Sequence, residues 1–189
     1  CGAWIKGRTG FVRQSAKVAL GGILCALSLV CMLLTILPIS EMGLPALAGA
    51  VLIPIILEIG VKWGWMSYAC VALLSLLITP SMEAKVLFIA FFGYYPVLKA
   101  LIERLRKIWL EWIIKLAVFN LTMIGAYWIM LTFLGLPADS FEIFGLDLPF
   151  VILAIGNVAF VLYDIALTGV ITTYLRVLQP KLARLFRHG

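Results

Sequence analysis

The fold of this chain is decided by long apolar stretches, the first of which is KVALGGILCALSLVCMLLTIL at residues 17–37. A helix of this length rises about 30 Å, which is the thickness of the hydrocarbon core of a bilayer. Comparable stretches follow at residues 44–60, 63–79, 85–102, 108–134 and 148–174. The sequence therefore predicts a single all-α domain over residues 1–189, a polytopic integral membrane bundle of six transmembrane helices.

The composition excludes an ordinary soluble domain. Of the 189 residues, 64% are hydrophobic and only 13% are charged, and the mean hydropathy is +1.13. A soluble domain of this size covers its core with far more polar surface. The expected surroundings of this chain are therefore a lipid bilayer.

The basic residues are distributed unevenly between the two predicted faces of the membrane. If both termini lie inside, fourteen of the fifteen Lys and Arg residues fall at or near the inner face, and only Lys85 falls outside. This is the positive-inside pattern, and it accounts for the net charge of +6 without a nucleic-acid partner. The sequence predicts a multi-pass protein of the bacterial inner membrane with cytoplasmic N- and C-termini. The basic stretch after the fourth span also has apolar residues at helical spacing, which predicts an interfacial helix over residues 102–111 on the inner surface.

Signatures of soluble enzymes and metal sites are absent from the sequence. His188 is the one histidine, so a Ser-His-Asp or Cys-His arrangement lacks a suitable base. There is no G-x-x-x-x-G-K-[ST] loop for ATP and no Cys/His cluster with metal-ligand spacing. We therefore expect a protein that is not an enzyme and has no cofactor and no metal site.

Three charged residues lie inside the predicted spans. Asp164 lies well inside the sixth span, Lys99 lies at a similar depth in the fourth, and Lys115 lies toward the inner side of the fifth. An unpaired charge at the membrane centre costs about 2.5–3.5 kcal/mol or more. We therefore predict an ion pair of Asp164 with Lys99 or Lys115, which either only fixes the helix register or takes part in coupling or transport.

Uncharged polar and aromatic residues of the fourth, fifth and sixth spans are candidates for ligand binding. The set consists of Tyr94, Tyr95, Asn120, Tyr127, Trp128 and Asn157. These residues are predicted to line an outward-facing pocket for a small, flat molecule, with the fourth helix loosened by Gly93 and Pro96. The alternative for the asparagines is a hydrogen bond to another helix, which is the usual arrangement in lipid.

Small residues form a stripe on one face of the first span. Its members are Ser15, Ala19, Gly22 and Ala26. Their spacing of four, three and four places them on the same side of a helix, where small side chains let another helix approach closely. The stripe is predicted to contact either the protein's own helices or a separate membrane subunit.

The beginning of the chain resembles a known family. The basic leader that runs into KVALGGILCALSLV is similar to the start of the substrate-binding S components of energy-coupling factor (ECF) importers, and LPALAGAVLIPIILEIG looks like their second helix. The resemblance implies a six-helix bundle with both termini inside. It also implies a coupling transmembrane subunit bound to the small residues of the first helix, here Ala19, Gly22 and Ala26. The resemblance further implies two separate ATP-binding subunits and a vitamin-like ligand that is taken up from the outer side.

Three functions are open from the sequence. The resemblance implies a membrane-embedded substrate-capturing subunit of a micronutrient importer, without catalysis of its own. The alternatives are a non-transporting scaffold of a cell-envelope complex and a small secondary transporter that uses Asp164 for protons. An outward-facing cavity lined by the predicted ligand residues favours capture, whereas a solid core favours a scaffold.

Overall fold

The computed structural model describes residues 14–36, 43–105, 107–133 and 149–179, and the regular elements of these residues are all helical. The helices are α1 (Gln14–Leu33), α2 (Gly43–Val51), α3 (Ile53–Glu58), α4 (Val61–Ile78), α5 (Met82–Leu87), α6 (Tyr95–Ile102), α7 (Ile108–Phe133) and α8 (Pro149–Thr173). Short 3-10 or π-helical turns extend α1, α5, α6 and α8, at Leu34–Ile36, Phe88–Phe92, Glu103–Leu105 and Tyr174–Leu178. The predicted all-α class is confirmed for the described part of the chain.

Among the described residues, five segments are long and apolar enough to cross a membrane. They are Lys17–Ile36, Val61–Ile78, Met82–Leu105, Ile108–Ala126 and Leu153–Val177. These segments correspond to the predicted first, third, fourth, fifth and sixth spans, and they are consistent with a multi-pass membrane protein. The predicted second span at residues 44–60 corresponds to a shorter apolar segment, Gly43–Glu58, made of α2 and α3. The count of six spans and the inside position of both termini stay predictions.

The shorter segment is interrupted between α2 and α3. Pro54 lies in the first turn of α3, where its ring and its missing N–H prevent a continuous α-helix. After α3 the chain turns at Gly60, whose φ of 122° is a conformation that glycine adopts without a steric penalty. α4 begins at the next residue, so α3 and α4 run in opposite directions side by side.

The segment Met82–Leu105, which is the predicted fourth span, is interrupted near its middle. α5 continues into the π-helical turn Phe88–Phe92, in which the N–H of Gly93 donates to the carbonyl of Phe88 at 2.8 Å. α6 then begins at Tyr95, followed by Pro96. A π turn of this kind is uncommon and often lies at a functional site.

Two contacts hold this interruption in place. The Tyr68 hydroxyl on α4 donates to the carbonyl of Ile89 at 2.8 Å, which satisfies a backbone acceptor in the π turn where lipid offers no partner. From another side α2 approaches so closely that a Cβ on Gly49 would lie 2.1 Å from the carbonyl oxygen of Phe92. Glycine is therefore required at position 49.

Two apolar clusters fill the bundle around the fourth span. The first joins α1 to the helices α2 to α5, around Met32 and Phe88. The second is largely aromatic and includes Phe91, Tyr95, Phe119 and Phe160. The fourth span contributes to both clusters and so connects the two halves of the bundle.

Large apolar side chains also face outward. Ile23, Leu77 and Leu121 are 66%, 83% and 75% exposed, respectively. Many such side chains on several helices are unfavourable in water but match the hydrocarbon of a bilayer. The outer surface of the helices therefore agrees with the apolar spans.

Successive helices run antiparallel where their connections are short, and the contacts of Lys115 with Asp164 and of Asn120 with Asn157 show the same for α7 and α8. The starts of α1, α4 and α7 therefore lie at the same end of the bundle as the ends of α3, α6 and α8. Five described basic residues mark this end, which we call the basic end: Lys17, Lys62, Arg104, Lys107 and Arg176. By the positive-inside rule this end is the predicted cytoplasmic one.

The predicted interfacial helix over residues 102–111 is wrong. α6 ends at Ile102, a 3-10 turn follows at Glu103–Leu105, and α7 already begins at Ile108. The apolar residues at helical spacing belong to the ends of two membrane segments, because the chain reverses its direction between them.

Candidate functional site

Four charged side chains form a closed ring between α6, α7 and α8. Nζ of Lys99 lies 2.5 Å from Oδ1 of Asp164 and 3.0 Å from Oε1 of Glu103. Nζ of Lys115 lies 3.1 Å from Oδ2 of Asp164 and 3.3 Å from Oε1 of Glu103. Each lysine contacts both carboxylates, so the four formal charges balance. We call this group the charge ring.

The spacing along α6 explains why this helix contributes most of the site. Tyr95, Lys99 and Glu103 are four residues apart and therefore lie on one face of α6 and its terminal turn. α7 adds Lys115, and α8 adds Asp164. The sequence predicted that Asp164 pairs with one of two lysines, and the structure brings both of them into contact with it.

Further hydrogen bonds connect the charge ring to the surrounding helices. The Tyr95 hydroxyl donates to Oδ1 of Asp164 at 2.6 Å. The backbone carbonyl of Asp164 accepts from Nζ of Lys99 at 3.3 Å and from the Thr168 hydroxyl at 2.8 Å. The Tyr95 hydroxyl thus gives the buried carboxylate a further donor, and the other two bonds satisfy the backbone carbonyl of the same residue where water is absent.

Three of the four side chains of the charge ring are buried. Lys99, Lys115 and Asp164 are 1%, 4% and 4% exposed. The side chain of Glu103 is 21% exposed, and it lies at the end of α6 that faces the basic end. Glu103 is therefore the most accessible member of the charge ring. Removal of any other member leaves a buried charge without its full set of partners.

The predicted ligand residues occupy several separate places. Tyr95 is fully buried beside the charge ring, where its hydroxyl donates to Asp164. The Tyr94 hydroxyl lies 2.7 Å from Oγ1 of Thr122 on α7. Trp128 is 67% exposed on the outside of α7. Tyr127 also lies in α7, and its side chain is outside the described part of the structure.

Asn120 and Asn157 bind each other across α7 and α8. Each Nδ2 donates to Oδ1 of the other residue at 3.0 Å. The same nitrogens also donate to the carbonyls of Leu116 and Leu153, one turn earlier in their own helices. Both amide groups are therefore used within the protein, which is the helix-to-helix arrangement that the sequence left open beside ligand binding.

The predicted partner face on α1 is exposed. Its four residues, Ser15, Ala19, Gly22 and Ala26, are all on the surface of the described bundle, and a Cβ on Gly22 would meet nothing within 4 Å. The buried side of α1 is the opposite one, where the Ser28 hydroxyl donates to the carbonyl of Ala48 at 2.9 Å. Within the residues that the structure describes, the protein's own helices leave this face open.

An apolar groove of about 330 Å³ lies on the outside of the bundle. It is lined by residues of α1, α2, α3 and α8 with the following members: Leu24, Leu27, Leu47, Ala50, Val51, Ile53, Pro54, Val170 and Tyr174. The predicted ligand residues do not line it. This groove is therefore a separate feature from both the charge ring and the predicted ligand pocket.

Sequence reasoning missed Glu103 and Tyr68. Glu103 carried a signal, because it follows Lys99 by four residues and such pairs meet on a helix. Tyr68 carried none, since its bond to Ile89 depends on a π turn that the sequence does not reveal.

Comparison of the chain with protein-family models, with curated proteins and with solved structures gives no match.

Proposed function

We propose that this chain is the membrane-embedded, substrate-capturing subunit of a micronutrient importer, without catalysis of its own. In this proposal it crosses the bacterial inner membrane six times, with α2 and α3 forming the short second span and with both termini in the cytoplasm. A coupling transmembrane subunit binds the α1 face, and two cytoplasmic ATP-binding subunits supply the energy. This is the arrangement of the ECF S components that the first two helices resemble.

The observation that carries the proposal is the interruption of the fourth span directly beside the charge ring. In many secondary transporters, substrate sites lie near the middle of the membrane at discontinuous helices, whose freed backbone groups can face a ligand. Here the π turn and Gly93 come just before Tyr95, the first residue of the α6 face that leads to Lys99 and Glu103. The charge ring holds α6 rigidly against α7 and α8. A change in the conformation of the interruption can therefore move both helices.

Ligand capture in this proposal uses the region around Tyr94, Asn120 and Asn157, with Tyr127 and Trp128 toward the outer end of α7. The two asparagines bind each other in the described structure, so ligand binding requires their pair to open. An interhelical pair of this kind in lipid is worth about 0.6–2 kcal/mol. A micromolar ligand binds with about 8 kcal/mol, which exceeds the cost of opening several-fold.

A second candidate is a non-transporting scaffold of a cell-envelope complex. One observation favours it: the polar groups of Tyr94, Asn120 and Asn157 have partners within the protein. A bundle whose polar groups are satisfied internally has less need of a ligand.

Purification from native membranes in a mild detergent distinguishes the two candidates. We expect the importer subunit to co-purify with a coupling membrane subunit and two ATP-binding subunits, and the eluate to hydrolyse ATP. Gly22→Leu should abolish this association, because a Cβ at this position meets nothing within 4 Å among the described residues, while the larger side chain blocks the close approach of a partner helix. The matched control is Gly169→Leu on α8, where a Cβ also meets no described atom within 4 Å, and this variant should keep its partners.

Co-purification with envelope-synthesis proteins and without ATP-binding subunits would reject the importer and support the scaffold. If both leucine variants lose their partners equally, the α1 face is not the contact surface.

A further inference from the structure

The groove on the outside of the bundle has the shape and lining expected for a hydrocarbon chain. It lies between α1 and α8, next to the interruption between α2 and α3. Apart from the Tyr174 hydroxyl, its lining side chains are apolar. Its volume of about 330 Å³ is roughly twice that of an engineered cavity that holds benzene, which corresponds to room for about a dozen carbon atoms. Part of one acyl chain therefore fits.

Three of the helices that line the groove, α1, α3 and α8, each carry a polar group on the same side toward the basic end. On α1, Lys17 precedes Leu24 by seven residues, which is two helical turns, so both lie on the same side. On α3, Glu58 follows Pro54 by four residues and lies on the same side as that proline. On α8, Tyr174 closes the groove, and its hydroxyl donates to Oε1 of Glu58 at 3.3 Å.

Lys17 and Glu58 carry opposite charges without pairing to each other. Both are partly buried, and the ion pairs among the described residues involve neither of them. Partly buried charges at the edge of the hydrocarbon are stabilised when lipid headgroups meet them. A positive and a negative group at the same end of an apolar groove match a zwitterionic headgroup.

We propose that this groove binds one phospholipid whose headgroup carries a phosphate and an ammonium group, as in phosphatidylethanolamine. An acyl chain lies between Leu24, Leu27 and Val170. The phosphate contacts Lys17, and the ammonium group contacts Glu58. This lipid site is independent of the proposed transport function.

The headgroup decides the selectivity of such a site. An acyl chain that enters the groove leaves surroundings that are equally apolar, so there is little hydrophobic driving force. A charged contact near the membrane surface changes the affinity about five-fold. Phosphatidylglycerol shares the phosphate but lacks the ammonium group, so the contact with Glu58 distinguishes the two lipids.

Photo-crosslinking in nanodiscs tests this proposal. The nanodiscs contain equal amounts of phosphatidylethanolamine and phosphatidylglycerol, and one or the other carries a diazirine on its acyl chain. We expect phosphatidylethanolamine to label groove peptides about five-fold more than phosphatidylglycerol. Glu58→Gln should remove this preference, and Leu27→Trp should reduce labelling by both lipids because the indole fills the groove.

Two matched variants serve as controls. Glu83→Gln removes an exposed carboxylate at the opposite end of the bundle, and Leu73→Trp enlarges an exposed leucine on α4. Both should retain the wild-type labelling. All variants are compared as monodisperse protein, so that a folding defect is not mistaken for a lost lipid.

Several results would overturn the proposal. They are equal labelling of the wild-type groove by the two lipids, preferred labelling by phosphatidylglycerol, and labelled peptides that lie outside the groove. A second experiment places a photo-reactive amino acid at position 27, and cross-links from it to residues 1–13 or to a partner helix in place of lipid would assign the groove to a protein segment instead.

Discussion

Replacement of Asp164 by asparagine tests the charge ring most directly. The substitution keeps the size of the side chain, removes one of two negative charges and leaves Lys99 and Lys115 to share Glu103. The formal charge of the ring then changes from zero to plus one, at a site where both lysines are at most 4% exposed. We expect the variant to be less stable because a buried charge loses its partner.

The distances indicate the size of the effect. The carboxylate of Asp164 lies 2.5 and 3.1 Å from the two lysine nitrogens, which corresponds to an attraction of about 7 and 5 kcal/mol at an effective dielectric constant of about 20. Part of this loss is offset, because asparagine is less costly to bury than a carboxylate and is not repelled by Glu103. A net destabilisation of about 3–5 kcal/mol remains, the range found when one partner of a buried ion pair is removed. For a chain of this length the midpoint of thermal unfolding should fall by roughly 6–20 °C.

Thermal unfolding in detergent, followed by tryptophan fluorescence at a fixed heating rate, measures this change. The double variant Asp164→Asn/Lys115→Met restores a balanced charge, and it should recover at least half of the lost stability. Glu83→Gln, at an exposed position, is the control and should leave the midpoint unchanged. A midpoint for Asp164→Asn within ~1 °C of wild type, or a double variant less stable than the single one, would refute the reasoning.

Three further predictions use the same thermal assay. Gly49→Ala places a Cβ 2.1 Å from the backbone oxygen of Phe92 and should lower the free energy of unfolding by about 3 kcal/mol. Its control is Gly22→Ala, where a Cβ meets no described atom within 4 Å; this variant should be neutral or more stable by up to about 1 kcal/mol. Alanine substitution of Asn120 and Asn157, singly and together, should reveal a coupling of about 0.6–2 kcal/mol, and a coupling of zero would contradict their reciprocal hydrogen bonds. Gly60→Ala should cost about 1–3 kcal/mol because the residue has a φ of 122°, and wild-type stability would show that the turn has another conformation.

The positions of the apolar segments could be predicted closely because hydropathy is a local property. The first span was predicted at residues 17–37, and the observed segment is Lys17–Ile36. The interfacial helix was mispredicted because helical spacing of apolar residues does not show where a chain reverses. That reversal depends on the turn at Glu103–Leu105.

The charge ring could be predicted in part. The cost of a lone charge in lipid requires a partner for Asp164, and depth in the membrane narrowed the candidates to Lys99 and Lys115. The depth of a residue in the membrane could not distinguish Lys99 from Lys115 as the partner, because it carries no information on which helices are neighbours. Glu103 was overlooked because it lies in a stretch that is otherwise basic.

By itself, the sequence determined which segments are apolar, roughly where they end and which of their residues need a polar partner. These properties follow from the thickness of the hydrocarbon and from the cost of charge inside it. Only the tertiary structure decided that both lysines meet Asp164, that Asn120 and Asn157 bind each other, and that the other described helices leave the small-residue face of α1 open. These outcomes depend on how each helix is rotated against its neighbours, and packing between segments sets that rotation.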